Sequence, residues 1–214
     1  VTQALVALNL AVFVAGLGPG LETKSSMTVD GGLIGLGQLR NGDLIGVAHG
    51  EWWRIITSGF LHANAIHVGF NMWVLYQLGM LLEPVLGRLR FTVVYFVAMT
   101  CGALGVLLVE PNGLTVGASG AVFGLMGVAV AVFRSRGINP FDTGLGGAIV
   151  LNLVFTFAIP GISIGGHVGG LIGGFIAGWL LVDAGPRYLR DPNAVLASVI
   201  ALGAVAAGAA ILVV

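Results

Sequence analysis

The chain has 214 residues, of which 57% are hydrophobic and only 8% charged, and its mean hydropathy is +1.02. A soluble domain carries about 25% charged residues, so this is the composition of an integral membrane protein. Nine basic and nine acidic side chains balance, which argues against a nucleic-acid partner.

Residues 1–17 are apolar with no Lys or Arg before them. A secretory signal needs a positive n-region and a small-residue cleavage site, so the stretch reads as a first membrane helix (about 2–17), clipped at its N-terminus. Residues 18–59 scatter Gly, Ser, Asp, Asn and single charges between short apolar patches, a long extracytoplasmic loop able to hold short helices of its own. Gly50-Glu51-Trp52-Trp53-Arg54 closes it, and two Trp beside an Arg suit the headgroup level. Ile55 to Leu82 contains no Asp, Glu, Lys or Arg, which predicts a second span over about 60–82 carrying His62, His67 and Asn71. Glu83-Pro84 and Arg88-Leu89-Arg90 read as a turn.

Further spans are expected over 91–109, 118–134, 143–159, 166–183 and 194–214, near the roughly 20 residues that a helix needs to cross a bilayer. The expected fold is an all-α polytopic bundle of seven membrane helices forming a single membrane domain over 1–214. Abundant glycine, 36 residues in all, favours small-residue helix interfaces. The long unbroken apolar runs are unlike the alternating segments of a membrane barrel. The single Cys101 has no partner for an internal disulfide.

Arg88, Arg90, Arg134, Arg136, Arg187 and Arg190 fall on one side of this topology, and Lys24, Arg40 and Arg54 on the other. The positive-inside rule makes the first side cytoplasmic. The N-terminus is then cytoplasmic, and Ser119, His167, His62 and His67 all approach the outer end of their helices. Ionisable groups at membrane depth are costly and point to function.

The centre of this convergence is Gly117-Ala118-Ser119-Gly120, at the start of a charge-free helical run. Serine needs a base before it is a useful nucleophile, and His167 is the histidine on another helix able to serve. Gly120, Gly124 and Gly127 follow Ser119, while Gly170, Gly174 and Gly178 lie on the face of His167. Small residues on both surfaces would let the two backbones approach closely. His67 and Asn71, four residues apart, share a helix face. Together with the Ser119 N–H at a helix N-terminus they could bind an oxyanion. His62 lies about 140° round an ideal helix from His67 and takes a supporting or water-binding role. From Ser119 to Phe133 an α-helix is about 22 Å long, less than the ~30 Å hydrocarbon core. The turn before it should therefore dip into a hydrated, protein-lined cavity. No Asp or Glu lies between Asp142 and Asp183, so a Ser–His dyad fits better than a triad.

Taken in order, Trp53-Arg54, His62…His67…Asn71, Gly117-Ala118-Ser119-Gly120 and Gly166-His167-Val168-Gly169-Gly170 resemble the rhomboid family of intramembrane serine proteases. The resemblance implies a six-helix bundle with one extra C-terminal helix. It implies Ser119 as nucleophile and His167 as general base, with His67, Asn71, Gly117 and the Ser119 backbone N–H around the oxyanion. His62, Phe123, Trp53 and Arg54 take supporting places, and neither a metal nor another cofactor is implied. Phe123 stands where family members often carry a Tyr stacked on the catalytic His, so a stack is expected without a hydroxyl. The implied partners are the lipid bilayer and the transmembrane helices of other proteins, entering between the second and fifth membrane helices. Three rivals remain. One is an inactive, client-binding relative, and another a small transporter with a histidine relay. A zinc protease is the third, although no His-Glu-x-x-His occurs and His62 and His67 are five apart.

Overall fold

The computed structural model describes residues 1–18, 23–189 and 191–214. Part of the expected loop (19–22) and Arg190 lie outside the described residues. In chain order the helices are α1 (Thr2–Ala15), α2 (Ser25–Gly31), α3 (Arg54–Thr57), α4 (Ala65–Leu86), α5 (Arg88–Val109), α6 (Ser119–Ser135), α7 (Leu145–Ala158), α8 (Ile164–Trp179), α9 (Gly185–Tyr188) and α10 (Pro192–Leu212). A π-helical segment, Leu180–Ala184, joins α8 to α9. Among the described residues the strands are one two-residue antiparallel pair, β1 (Gly37–Gln38) and β2 (Leu44–Ile45), inside the long loop.

The chain is an all-α, multi-pass membrane bundle. Among the described residues four helical stretches, α4, α5, α8 continued through α9, and α10, are long and apolar enough to cross a bilayer, and α1, α6 and α7 are shorter apolar helices. Large apolar side chains such as Ile66, Trp73, Leu108 and Val205 lie exposed on the outer surface. Helices apolar all round suit a lipid solvent.

Helix ends follow local chemistry. Asn64 caps α4 by accepting from the His67 N–H (2.9 Å), and Ser163 caps α8 by accepting from the Gly166 N–H (3.1 Å). Asp191 caps α10 with Pro192 in the first turn.

The second membrane helix departs from expectation at both ends. It begins at Ala65, because Asn64 supplies the cap and residues 54–60 fold into α3 and a 3-10 turn. His62 therefore precedes the helix, and its expected angular place on that helix does not apply. At the other end, Glu83 and Pro84 lie inside α4. The turn falls instead at Gly87, whose φ of +79° favours glycine. The Glu83 carboxylate accepts from the Thr2 backbone N–H (2.8 Å) and hydroxyl (2.7 Å), tying α1 to α4.

The centre of the bundle is α5, α6 and α8, joined through glycine. A Cβ on Gly120 would stand 3.3 Å from the Gly166 carbonyl oxygen, and one on Gly124 3.0 Å from that of Gly170. A Cβ on Gly178 would stand 2.9 Å from Val128 Cα. The expected close approach of the Ser119 and His167 helices is present, and α5 joins it through Gly102 and Gly105. The last helix packs on α5, with Gly203 against Val97 and Val199 fully buried.

The long loop is built onto the turn that precedes Ser119. Leu33 and Thr115 exchange backbone hydrogen bonds (both 2.8 Å), and the Gly35 N–H donates to the Pro111 carbonyl (2.6 Å). Arg54, 1% exposed, ties the loop together from within. It donates to the Glu51 carboxylate (2.8 Å) and to the carbonyls of Val29 (2.6 Å) and Gly32 (2.8 Å). A buried guanidinium so engaged is not a headgroup anchor, which corrects that part of the expectation. Trp52 and Trp53 are exposed.

Candidate active site

Ser119 opens α6, so its N–H has no intrahelical carbonyl below it and is free to meet a ligand. The turn before it is held from two sides. The Gly117 N–H donates to the Ser58 carbonyl (2.9 Å) and the Ala118 N–H donates to His62 Nε2 (3.4 Å). Gly117 needs to be glycine twice over. Its φ is +134°, and a Cβ there would lie 2.8 Å from His67 Cε1, 2.9 Å from His67 Nε2 and 3.6 Å from Ser119 Oγ. The His67 ring thus sits against the Gly117 backbone, beside the serine hydroxyl.

Ser119, His167, His67 and Asn71 line one cavity of about 1000 Å³. Its walls come from α4, α6, α7, the first turn of α8 and the turn around Glu110. His167 is buried and lies flat on Phe123, with ring centroids 4.0 Å apart and planes 17° apart. Phe123 is one turn along α6 from Ser119. Among the described residues no hydrogen bond joins Ser119 Oγ to His167. The two share the cavity without that contact.

His67 Nδ1 accepts from the Ala63 N–H (3.4 Å). That contact assigns the ring proton to Nε2, the nitrogen facing Gly117. The side chain of Asn71 donates to the His67 carbonyl (2.9 Å), which spends one of its two amide N–H groups on the helix backbone. His62 is 1% exposed and meets the His67 ring edge-on at 5.1 Å. It braces the turn ahead of Ser119 and does not line the cavity.

Comparison with known proteins gives a consistent result. A family profile for the Rhomboid domain matches residues 49–184. The chain belongs to the rhomboid family. It is 33% identical over 170 residues to rhomboid protease GluP of Bacillus subtilis, which covers 78% of this chain and 32% of GluP. To YdcA of the same organism it is 43% identical over 95 residues, covering 43% of this chain and 48% of YdcA. It is also 29% identical over 106 residues to the Arabidopsis thaliana protein named "Inactive RHOMBOID-like protein 8", covering 50% of this chain and 30% of that one. The chain thus spans a third to a half of the length of these relatives.

Within the rhomboid fold, not every sequence candidate reaches the cavity. Trp53 and Arg54 do not line it; Arg54 acts on the loop scaffold. Among the lining residues that the sequence did not mark for the site are Glu110 and Thr156. Glu110 accepts from the Ile164 N–H at the start of α8 (3.2 Å). Thr156, on α7, has its hydroxyl 2.7 Å from His167 Nδ1. The sequence sign of Thr156 is a hydroxyl in a helix whose other polar side chain is Asn152, a common feature with many ordinary explanations.

Proposed function

We propose that this chain is an intramembrane serine endopeptidase, hydrolysing peptide bonds in or near the transmembrane segments of membrane-protein substrates with a Ser119–His167 dyad. The observation that carries the reading is the single cavity shared by Ser119, His167, His67 and Asn71, with His167 held flat on Phe123.

In the proposed reaction His167 Nε2 takes the hydroxyl proton as Ser119 Oγ attacks the scissile carbonyl carbon. The oxyanion is met by the Ser119 N–H, His67 Nε2–H and the remaining amide N–H of Asn71. His167 then passes its proton to the leaving amine as the C–N bond breaks, leaving an acyl-Ser119 ester. Water attacks this ester with His167 again as base. Ser119 recovers its proton and the new carboxyl product departs.

The placement of the whole follows the same reading. Residues 1–214 act as a single membrane domain in the cell (inner) membrane. The N-terminus faces the cytoplasm and the site opens to the extracytoplasmic side, as the arginines at the far ends of α4–α5, α6 and α8–α9 suggest. A substrate helix enters from lipid between α4 and α7, whose Phe70 and Phe155 both line the cavity. Cleavage of a single-span test substrate in liposomes tests this reading. Product from the parent and none from Ser119→Ala is expected. Equal product from both would remove Ser119 from the reaction. No product from either, with folded protein, would favour a client-binding or transport role.

A further inference from the structure

The proposed dyad lacks a carboxylate to set the tautomer of its base, yet the base is not left free. The His167 ring nitrogen remote from the proposed proton transfer, Nδ1, lies 2.7 Å from the Thr156 hydroxyl oxygen. That same hydroxyl lies 2.8 Å from the Asn152 carbonyl one turn earlier on α7. A threonine hydroxyl has one proton and two lone pairs. The Asn152 carbonyl can only accept, so both contacts of the hydroxyl are made together when its proton goes to that carbonyl. What remains to face His167 is a lone pair, and a lone pair needs a hydrogen on Nδ1. Thr156 is 2% exposed and His167 9%, so water has little room to offer either atom another partner.

We propose that Thr156 is a positioning residue that holds His167 in its Nδ1–H tautomer, leaving the Nε2 lone pair free to accept the Ser119 proton. This deepens the protease reading above and rests on it for its catalytic consequence. The arrangement Asn152 carbonyl, Thr156 hydroxyl, His167 imidazole does with a neutral hydroxyl what the buried Asp does in a serine triad. It differs in bringing no negative charge to the imidazolium that forms. The bond also crosses between helices: acceptor and hydroxyl belong to α7 and the base to α8. The correct tautomer is therefore enforced only while α7 is docked. The stack on Phe123 fixes the ring plane but treats both tautomers alike, so Thr156 supplies what Phe123 cannot.

The test has two independent readouts on the full chain in liposomes or detergent. The first is ¹⁵N spectroscopy of histidine-labelled protein at neutral pH, with the His167 signals assigned by their loss in His167→Asn. It needs no substrate and no activity. The parent is expected to show a protonated Nδ1 and an unprotonated Nε2, and Thr156→Val a mixture or the reverse. An Nε2–H ring in the parent, or the same tautomer in parent and Thr156→Val, overturns the proposal even if the protein is an active protease.

The second readout is cleavage kinetics. Thr156→Val keeps the shape of the side chain and is expected to lower kcat by about tenfold to a hundredfold, part of the roughly 10²–10⁴ that general acid–base catalysis supplies. KM should change little, and Thr156→Ser, which restores the hydroxyl, should recover most of the rate. Equal kcat in Thr156→Val and the parent overturns the proposal. So does a fall in Thr156→Ser as deep as that in Thr156→Val. If the parent cuts nothing but its tautomer is as stated, the protease reading fails and the hydrogen-bond assignment stands.

Discussion

Phe123 and His167 lie face to face, their ring centroids 4.0 Å apart and their planes 17° from parallel. The pairing joins α6, which carries Ser119, to α8, which carries the proposed base, and it fixes the imidazole plane relative to the serine. An aromatic pair is worth about 0.5–1.5 kcal/mol beyond its buried area, which at 1.4 kcal/mol per decade is roughly a two- to twelvefold effect. Phe123→Leu should lower kcat by about that amount while keeping the fold. Phe123→Tyr, which keeps the ring, should stay within about threefold of the parent. Cleavage of a single-span substrate in liposomes measures both.

The glycines between α6 and α8 carry the second prediction. A Cβ on Gly174 would run into the Gly124 backbone, whereas one on Gly208 of α10 would meet nothing within 4 Å. Backbone on a packed helix cannot swing aside as a side chain can. Gly174→Ala should therefore destabilise the bundle by about 1–3 kcal/mol, the usual range for overpacking. Gly208→Ala should be neutral or stabilising by up to about 1 kcal/mol, since glycine is the poorer helix former. Thermal unfolding in detergent, followed by circular dichroism, compares the two.

A third prediction concerns the loop that braces Ser119 from outside the bundle. Arg54 is buried and donates to Glu51 and to two loop carbonyls. Removing a buried charged partner commonly costs about 3–5 kcal/mol, so Arg54→Met should strip stability and activity together although Arg54 does not line the cavity.

The partner of Arg54 gives the pH dependence of the same loop. Burial pushes the Glu51 carboxyl up. The hydrogen bond from Arg54, the Gly46 N–H and the charges of Arg54 and His49 outweigh it and hold the group below its ordinary 4.5. A lowered folded value means that the unfolded chain binds the proton more readily. The stabilisation is therefore complete above about pH 4.5 and fades as pH falls through the lowered value. Glu51→Gln should be less stable at neutral pH and should lose this acid-side slope, as unfolding measured between pH 3 and 7 would show.

Much of this architecture was legible because membrane burial leaves a coarse signature. Among the described residues, charge-free runs fall within the apolar helices α1, α4, α5, α6, α7, α8 and α10, and Gly124, Gly170 and Gly174 marked the close crossing of α6 and α8 because only small residues permit it. The misread start of α4 has a local cause. Residues 55–64 are as apolar and uncharged as the helix that follows, and only the Asn64 cap separates them. Arg54 looked like an interfacial residue because its acceptors, the carbonyls of Val29 and Gly32, are backbone atoms that a sequence does not display. Thr156 was hidden for a related reason. Its role depends on which face α7 turns toward α8, and an almost uniformly apolar helix gives periodicity little to report.

The remaining prediction separates the two side chains proposed to meet the oxyanion. Asn71 already gives one amide N–H to the His67 carbonyl at 2.9 Å, so its remaining donor is aimed by its own helix. The His67 ring lies against Gly117, and its Nδ1 is occupied by the Ala63 N–H at 3.4 Å. Of the two side chains, the His67 ring is the one set against the Gly117 backbone beside the serine hydroxyl, and the larger share of the effect should fall on its Nε2–H. Loss of one oxyanion donor costs about 10²–10³ in kcat. His67→Ala should reach that range with KM little changed, and Asn71→Ala should fall short of it. Donors that act on one oxyanion are not additive, so the double variant should be only slightly worse than His67→Ala. A double variant whose loss equals the product of the two single losses would mean that the two side chains act independently of one another.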